Sequence, residues 1–455
     1  ALDACRRARH ELLGPDGTAR VGGAPVDDGG ARALEKLYAE CVSLCRSKRA
    51  VELQVAALAE LGGLQLRAGA AGRAAESWVE AVDATFQTYD VVASWPSHID
   101  GVVSTLGLAA VGRCIALLGQ LAAQTTRVQL EQRMQYALFA SALATALFGG
   151  SLPHPARPID YAGYRLKELW PAQPVFDDAA FGELRLLDGL NAAAHALLEY
   201  EQPLPALPLL VLYKFLSVER ARDVPHAAAA DALAVRALSD LGQVNAALTT
   251  LDVALRGADL PADALQLPPS ALVDGAPPAP APPPPPFADH LPPDADENSA
   301  AVRAALGAQP AAHAAKLYGP LLCRLLTLAR ARLLLRLCER LPPEDVLANG
   351  AKGKKGAPPA AAKGGGVSSD ELLAAAEEAL ASVETDVAAE LDAEGEGEAA
   401  EGEGAPSAGR QQALVALWCE AATLRATAHH RRGLVTAAVD ALKAAMARAA
   451  RAPAA

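Results

Sequence analysis

Apolar residues return at three- and four-residue steps along most of this chain. Between Ala31 and Phe86 the pattern is nearly unbroken, with Leu34, Leu37, Tyr38, Cys41, Leu44 and Cys45 on one helical face. The same period predicts helices over 2–13, 102–123, 127–148, 181–200, 206–222, 226–241, 244–256, 300–341, 370–391, 411–430 and 434–450. The 300–341 helix is expected to break near Gly319-Pro320, because proline removes a hydrogen bond and crowds the preceding turn. Segment 102–123 carries one charge, Arg113, and approaches the length of a membrane span. It has no flanking basic cluster, aromatic belt or second span, so it reads as a buried helix.

The stretches between helices change in composition, and they set the expected organisation. It runs as an N-terminal helical-repeat region 1–148, a Pro/aromatic ordered loop 149–178 and a second helical-repeat region 179–265. A Pro-rich linker 266–299 follows, semi-rigid where Pro282 to Pro286 hold polyproline II geometry. Then come Leu/Arg-rich helices 300–344, a Lys/Gly-rich linker 345–369, an acidic helix with a Glu/Gly tract 370–409, and a helix pair 410–455. The Pro-, Lys/Gly- and Glu/Gly-rich inserts are expected to be disordered, having too little apolar surface to offset the entropy of ordering.

Composition narrows the class. About a quarter of the 455 residues are alanine, far above ordinary usage, and alanine loses no side-chain entropy in a helix. Aromatics make up only 4%, so an all-β core is excluded and an all-α fold follows. The formal charge of −12 is local. Thirteen acids lie between Asp370 and Glu403 with no Lys or Arg among them, and the remainder holds 40 acids against 41 basic residues. That near-neutral body excludes the basic balance of a nucleic-acid binder. Seven scattered cysteines do not form a disulfide framework, and their odd count points to a reducing compartment. The chain opens at Ala1 with no signal or transit pattern, so a start inside a longer polypeptide is expected.

Self-similarity is the most informative pattern. From Gly69, Ala74 lies at +5, Trp78 at +9 and Ala81 at +12; Gly242 leads to Ala247, Leu251 and Ala254, and Gly433 to Ala438, Leu442 and Ala445. A looser version runs from Glu201 to Ala206, Leu210 and Tyr213. The glycine suits a left-handed helix end. The following offsets share a face, where small alanines admit a neighbouring backbone and the large residue fills the groove. Leu58, Leu61, Gly62 and Leu66 supply the partner helix before Gly69. These positions resemble the tetratricopeptide repeat, which implies a helical-repeat solenoid of antiparallel helix pairs. Unclassified antiparallel pairs are the alternative.

A more specific resemblance rests on AESWVEAVDATFQTYDVVASW (Ala75 to Trp95), SLPHPARPIDYAGY (Ser151 to Tyr164) and YEQPLPALPLLVLYKF (Tyr200 to Phe215). In this order they resemble the cilia- and flagella-associated protein 54 family, large proteins of the central-apparatus projections of motile cilia. The resemblance spans about Ala31 to Arg222. It implies a non-catalytic scaffold of the ciliary axoneme that binds other projection proteins near a central-pair microtubule, with tubulin a further candidate partner. Neither nucleic acid nor membrane is an expected partner. The rival reading is a cytosolic tetratricopeptide adaptor that captures acidic peptide tails with basic groove residues. Leu53, Gln54, Ala57 and Leu58 dominate the corresponding region here.

No motif assigns a catalytic, cofactor-binding or metal residue. The Gly350 to Gly356 run has lysines but neither the strand nor the Ser/Thr of a phosphate loop. Cys41 and Cys45 could offer two metal ligands but lack two more, and read as core. His429 and His430, with Arg431 and Arg432, suit the negative end of a helix dipole. Ser97, His98 and Asp100 are too close together for a triad and follow Pro96 in a turn. Arg324, Arg330, Arg332, Arg336 and Arg340 could face an acidic surface such as tubulin or an anionic membrane, or form a solvated face. Lys352, Lys354, Lys355 and Lys363 could tether to acidic tails or lie in an unstructured insertion.

Overall fold

The computed structural model describes residues 1–13, 28–88, 108–124, 130–147, 186–221, 223–257, 302–340, 367–397 and 408–450. All secondary structure among them is helical. The Pro/aromatic loop, the polyproline run, the glycine-lysine stretch, Trp95, and the Ser97, His98 and Asp100 group lie outside the described residues. Among the described residues, no helix is long and apolar enough to cross a membrane.

The chain forms two compact units, one drawn from residues 1–154 and 159–221, the other from 155–158 and 222–455. The boundary between Ala221 and Arg222 falls inside the sequence-defined segment 179–265.

The first unit contains α1 (Leu2–Leu13), α2 (Asp28–Ser47), α3 (Val51–Arg67), α4 (Ala71–Thr88), α5 (Leu108–Gln124), α6 (Leu130–Leu147), α7 (Leu186–Glu199) and α8 (Pro203–Phe215), which runs into a π-helical turn, Leu216–Ala221. Successive helices pack together, and α5 also meets α7. The apolar stretch around the single charge Arg113 in α5 is core: Val111, Cys114, Ile115, Leu117, Leu118 and Leu121 are all buried. Burial pushes the Cys114 thiol up to about 12. Arg133 of α6 fastens three helices, donating to the Ala122 carbonyl at 2.9 Å, pairing with Glu199 at 2.6 Å and lying over the Tyr200 ring.

The second unit contains α9 (Val224–Asp240), α10 (Val244–Arg256), α11 (Ala312–Arg340), α12 (Ser369–Gly397), α13 (Ala408–Arg431) and α14 (Val435–Ala449). In α11, Gly319 sits at φ 74°, ψ 172°, so the expected break at Gly319-Pro320 is present as a kink. Helix α12 starts with a capping box at Ser368-Ser369-Asp370-Glu371. The Ser368 hydroxyl accepts from the Glu371 N–H at 3.1 Å, and the Glu371 carboxylate accepts from the Ser368 N–H at 2.9 Å. The helix continues to Gly397, past the expected end near Leu391.

Charges that look solvated in the sequence are engaged inside this unit. Arg324 pairs with Glu390 at 2.5 Å, Arg332 with Glu420 at 2.9 Å and Asp240 at 3.5 Å, and Arg336 with Asp240 at 3.3 Å. Arg330 donates to the carbonyls of Ala305 and Leu306, closing the short helical turn 302–306. On α12, Glu377 meets Arg432 at 2.7 Å and His429 at 3.2 Å, Glu384 meets Arg425 at 2.8 Å, and Asp392 meets Arg448 at 3.4 Å. Burial raises the Glu384 carboxyl while Arg425 opposes the shift. Arg324, Arg330, Arg332 and Arg336 therefore bond between helical segments rather than forming an open cationic face, while the side chain of Arg340 lies outside the described residues.

Candidate functional site

The repeat positions meet at sharp corners between consecutive helices. Gly69, Gly242 and Gly433 each take φ 73°, a conformation that costs glycine nothing. At each corner the glycine N–H donates three residues back, to Leu66, Ser239 and His430, at 2.9–3.0 Å. The next N–H donates five residues back, to Gln65, Leu238 and His429, at 2.8–2.9 Å. This double bond pattern satisfies two orphan carbonyls at the helix end.

Two further corners have the same pattern without glycine. Arg49 at φ 54° donates to the Arg46 carbonyl while Ala50 donates to that of Cys45; Glu201 at φ 55° donates to Leu198 while Gln202 donates to Leu197. A left-handed residue with a Cβ costs about 1–2 kcal/mol. The two hydrogen bonds of each corner offset part of that strain. Arg49 gives no sequence signal, since its identity does not mark a left-handed position.

Beyond the corners, the offset residues occupy different surroundings. Ala74, Trp78 and Ala81 are buried, as are Ala247, Leu251 and Ala254. Trp78 lies over Gly62, and its indole N–H donates to the Ala59 carbonyl at 3.2 Å. After Glu201, Ala206, Leu210 and Tyr213 are fully buried. In the third set Ala438 and Ala445 are buried, but Leu442 is 43% exposed. The expected groove-filling role of Leu442 is thus not met in this structure.

The contrast has a structural cause. Counting from Gly242, Val244, Leu248, Leu251 and Leu255 form a buried apolar stripe on α10. The preceding segment and α11 close over it: the Ala311 N–H donates to the Leu255 carbonyl at 2.9 Å, and the Tyr318 hydroxyl to that of Ala254 at 2.7 Å. The same positions from Gly433 are Val435, Val439, Leu442 and Met446, and all four are exposed, Met446 by 72%. Helix α14 rests on α13 through Ala438, Ala441 and Ala445, so its larger apolar residues point away from that contact. Leu251→Ala is expected to lose about 2–5 kcal/mol in urea unfolding. The matching Leu442→Ala is expected to stay within about 0.5 kcal/mol. Equal losses would show that the two stripes have the same environment.

A cleft of about 650 Å³ opens where α2, α3 and α4 meet, lined by Arg46, Arg49, Val51, Gln54, Glu80, Asp83 and Ala84. Arg46 pairs with Glu80, and the two acids match the two arginines, leaving no net positive field for a carboxylate. Leu53 is exposed, whereas Gln54, Ala57 and Leu58 are buried. Those last two belong to the core and do not line a peptide groove.

All seven cysteines are free thiols, and Cys41 and Cys45 are buried. Cys5, which the periodicity did not connect to them, joins them from α1. Among the described residues, no group of three or more His, Cys, Asp or Glu is arranged to hold a metal. Arg431 and Arg432 tie the end of α13 to neighbouring helices through Glu339, the Leu335 carbonyl and Glu377, and His429 Nδ1 lies 3.2 Å from the Glu377 carboxylate.

No protein-family model matches the chain. Comparison with curated proteins gives 28% identity over 314 residues to a cilia- and flagella-associated protein 54 from Chlamydomonas reinhardtii, covering 66% of this chain and 10% of that protein. Its counterparts from Mus musculus and Homo sapiens are each 23% identical over 250 residues, covering 50% of this chain and 8% of theirs. The matched portion is thus a tenth or less of the length of these relatives.

Proposed function

Starting from a chain related to the cilia- and flagella-associated protein 54 family, we propose that it is a non-catalytic structural segment of the motile-cilium axoneme. In this reading it belongs to a projection on a central-pair microtubule, organises other projection proteins and supports ciliary movement. The observation that carries the reading is the similarity to three proteins whose names place them with cilia and flagella.

The helical geometry supports a scaffold of the tetratricopeptide-like kind. Five corners share one hydrogen-bond pattern, and each starts the next helix two residues after the left-handed residue. Repetition of such a unit generates extended surfaces that many partners can share. The internal pairing of Arg324, Arg332 and Arg336 favours contact with projection proteins over an arginine grip on tubulin. The open stripe of α14 suits a leucine-rich helix that packs on it as α11 packs on α10.

The test is to measure the protein in axonemes prepared with and without the central pair. Its amount is expected to fall with loss of the central pair, whereas undiminished amounts contradict this placement.

A further inference from the structure

Three thiols converge where α1 meets α2. The Cys5 thiol lies against α2, donating to the Leu37 carbonyl at 3.6 Å. Cys41 stands one helical turn after Leu37 on the same face of α2, and Cys45 one turn further. Cys5 and Cys41 are only 1% and 2% exposed, so both side chains are packed into the helix-helix seam.

Geometry selects one pair from the three. Cys41 and Cys45 are four residues apart on one helix, where Cβ atoms lie about 5–6 Å apart. A disulfide needs Cβ atoms about 3.5–4.5 Å apart, so linking these two would distort α2. Cys5 approaches from another helix and can adjust by moving α1 as a body.

The seam opens when α1 lifts from α2 and α3. Leu2 and Cys5 are the buried residues among the described side chains of α1. Its other anchors are Arg6 at 2.8 Å and Arg9 at 3.6 Å from the buried Glu60, which also accepts from the Tyr38 hydroxyl at 2.6 Å. Local opening of one helix costs less than unfolding of the whole unit. Burial pushes all three thiols up and keeps them protonated while α1 is docked. Oxidation therefore begins in the opened form.

We propose that Cys5 and Cys41 form an oxidation-dependent cross-link that fastens α1 to α2, with a hydroperoxide as oxidant. With hydrogen peroxide, the Cys5 thiolate of the lifted helix attacks one peroxide oxygen and the O–O bond breaks. One water leaves after proton transfer, and Cys5 becomes a sulfenic acid. When α1 docks again, the Cys41 sulfur attacks the Cys5 sulfur, the S–O bond breaks and a second water leaves. The two thiols lose two electrons and two protons in total, and the peroxide is reduced to two waters.

The test uses the full chain, exposed to hydrogen peroxide, alkylated, digested without reductant and read by mass spectrometry. A Cys5–Cys41 peptide pair lighter by two hydrogens, and restored by dithiothreitol, is expected as the main product. It is expected to persist in Cys45→Ser and vanish in Cys5→Ser and Cys41→Ser. Amide exchange in α1 of the oxidised wild type is expected to slow by at least about tenfold. A dominant Cys41–Cys45 link, over-oxidised thiols without a link, or an unmodified Cys5 and Cys41 would each overturn the proposal. The wild-type readout stands even if a serine variant fails to fold.

Discussion

Replacing Gly119 with alanine is expected to destabilise the first unit by about 3 kcal/mol or more, near the upper end for an overpacked core. A Cβ at Gly119 would lie 2.0 Å from the Gly189 carbonyl oxygen, 2.4 Å from its carbon and 2.5 Å from its Cα. All three are backbone atoms, so no side chain can swing aside to make room. From the other side, a Cβ on Gly189 would lie 2.9 Å from the Cα and oxygen of Ala116. Helices α5 and α7 thus cross backbone to backbone, between fully or nearly fully buried Leu118, Leu121, Leu190 and Ala193. An added methyl group must prise that seam apart and forfeit contact along it. Urea unfolding with amide exchange of α5 and α7 measures the effect. Gly72→Ala in α4 is the control, since a Cβ there meets nothing within 4 Å, and it should change stability by no more than about 1 kcal/mol. Gly119→Ala with the same small effect would contradict the close crossing.

Trp78→Ala is the second large effect, expected to cost about 3–5 kcal/mol. Trp78 is 1% exposed and covers Gly62 so closely that a Cβ there would lie 2.2 Å from its Nε1. Truncation removes the ring from the α3–α4 seam and leaves the Ala59 carbonyl without its indole donor. Trp78→Phe keeps a ring but not the hydrogen bond, and is expected to lose less. The effects are read from urea unfolding and from amide exchange in α3 and α4. Similar, small losses for both variants would mean that Trp78 does not fill the groove of its helix pair.

The helical class was legible because alanine and three- or four-residue periodicity both act locally. Gly69, Gly242 and Gly433 could be read as corners because glycine marks a positive φ. Arg49 was hidden, because its positive φ leaves no mark on its identity. Gly119 and Gly189 were hidden for a different reason: seventy residues separate them in sequence, and only their crossing in space makes the missing side chains necessary. Leu442 exposes a further limit of local pattern. It has the offset of Leu251, yet one is covered by a neighbouring helix and the other is not.

Charge was the least legible property. The acids of α12 form an anionic tract without a basic residue in sequence, whereas Glu377, Glu384, Glu390 and Asp392 meet Arg432, Arg425, Arg324 and Arg448 in space. Such pairs also link the part of α12 just before Glu394 to its neighbours, consistent with a helix that extends beyond Leu391. Exposed members of these pairs contribute little individually. Their role is to set which helix faces meet.

The proposed ciliary scaffold, engaging central-apparatus proteins through helical surfaces, can be tested by crosslinking mass spectrometry on intact axonemes. Lys443 is exposed beside Leu442 on α14 and serves as the reporter. Recurrent crosslinks from Lys443 to helical segments of central-apparatus polypeptides are predicted. Lys443 crosslinks confined to this chain's own second unit, or directed to proteins outside the central apparatus, would contradict the proposed role.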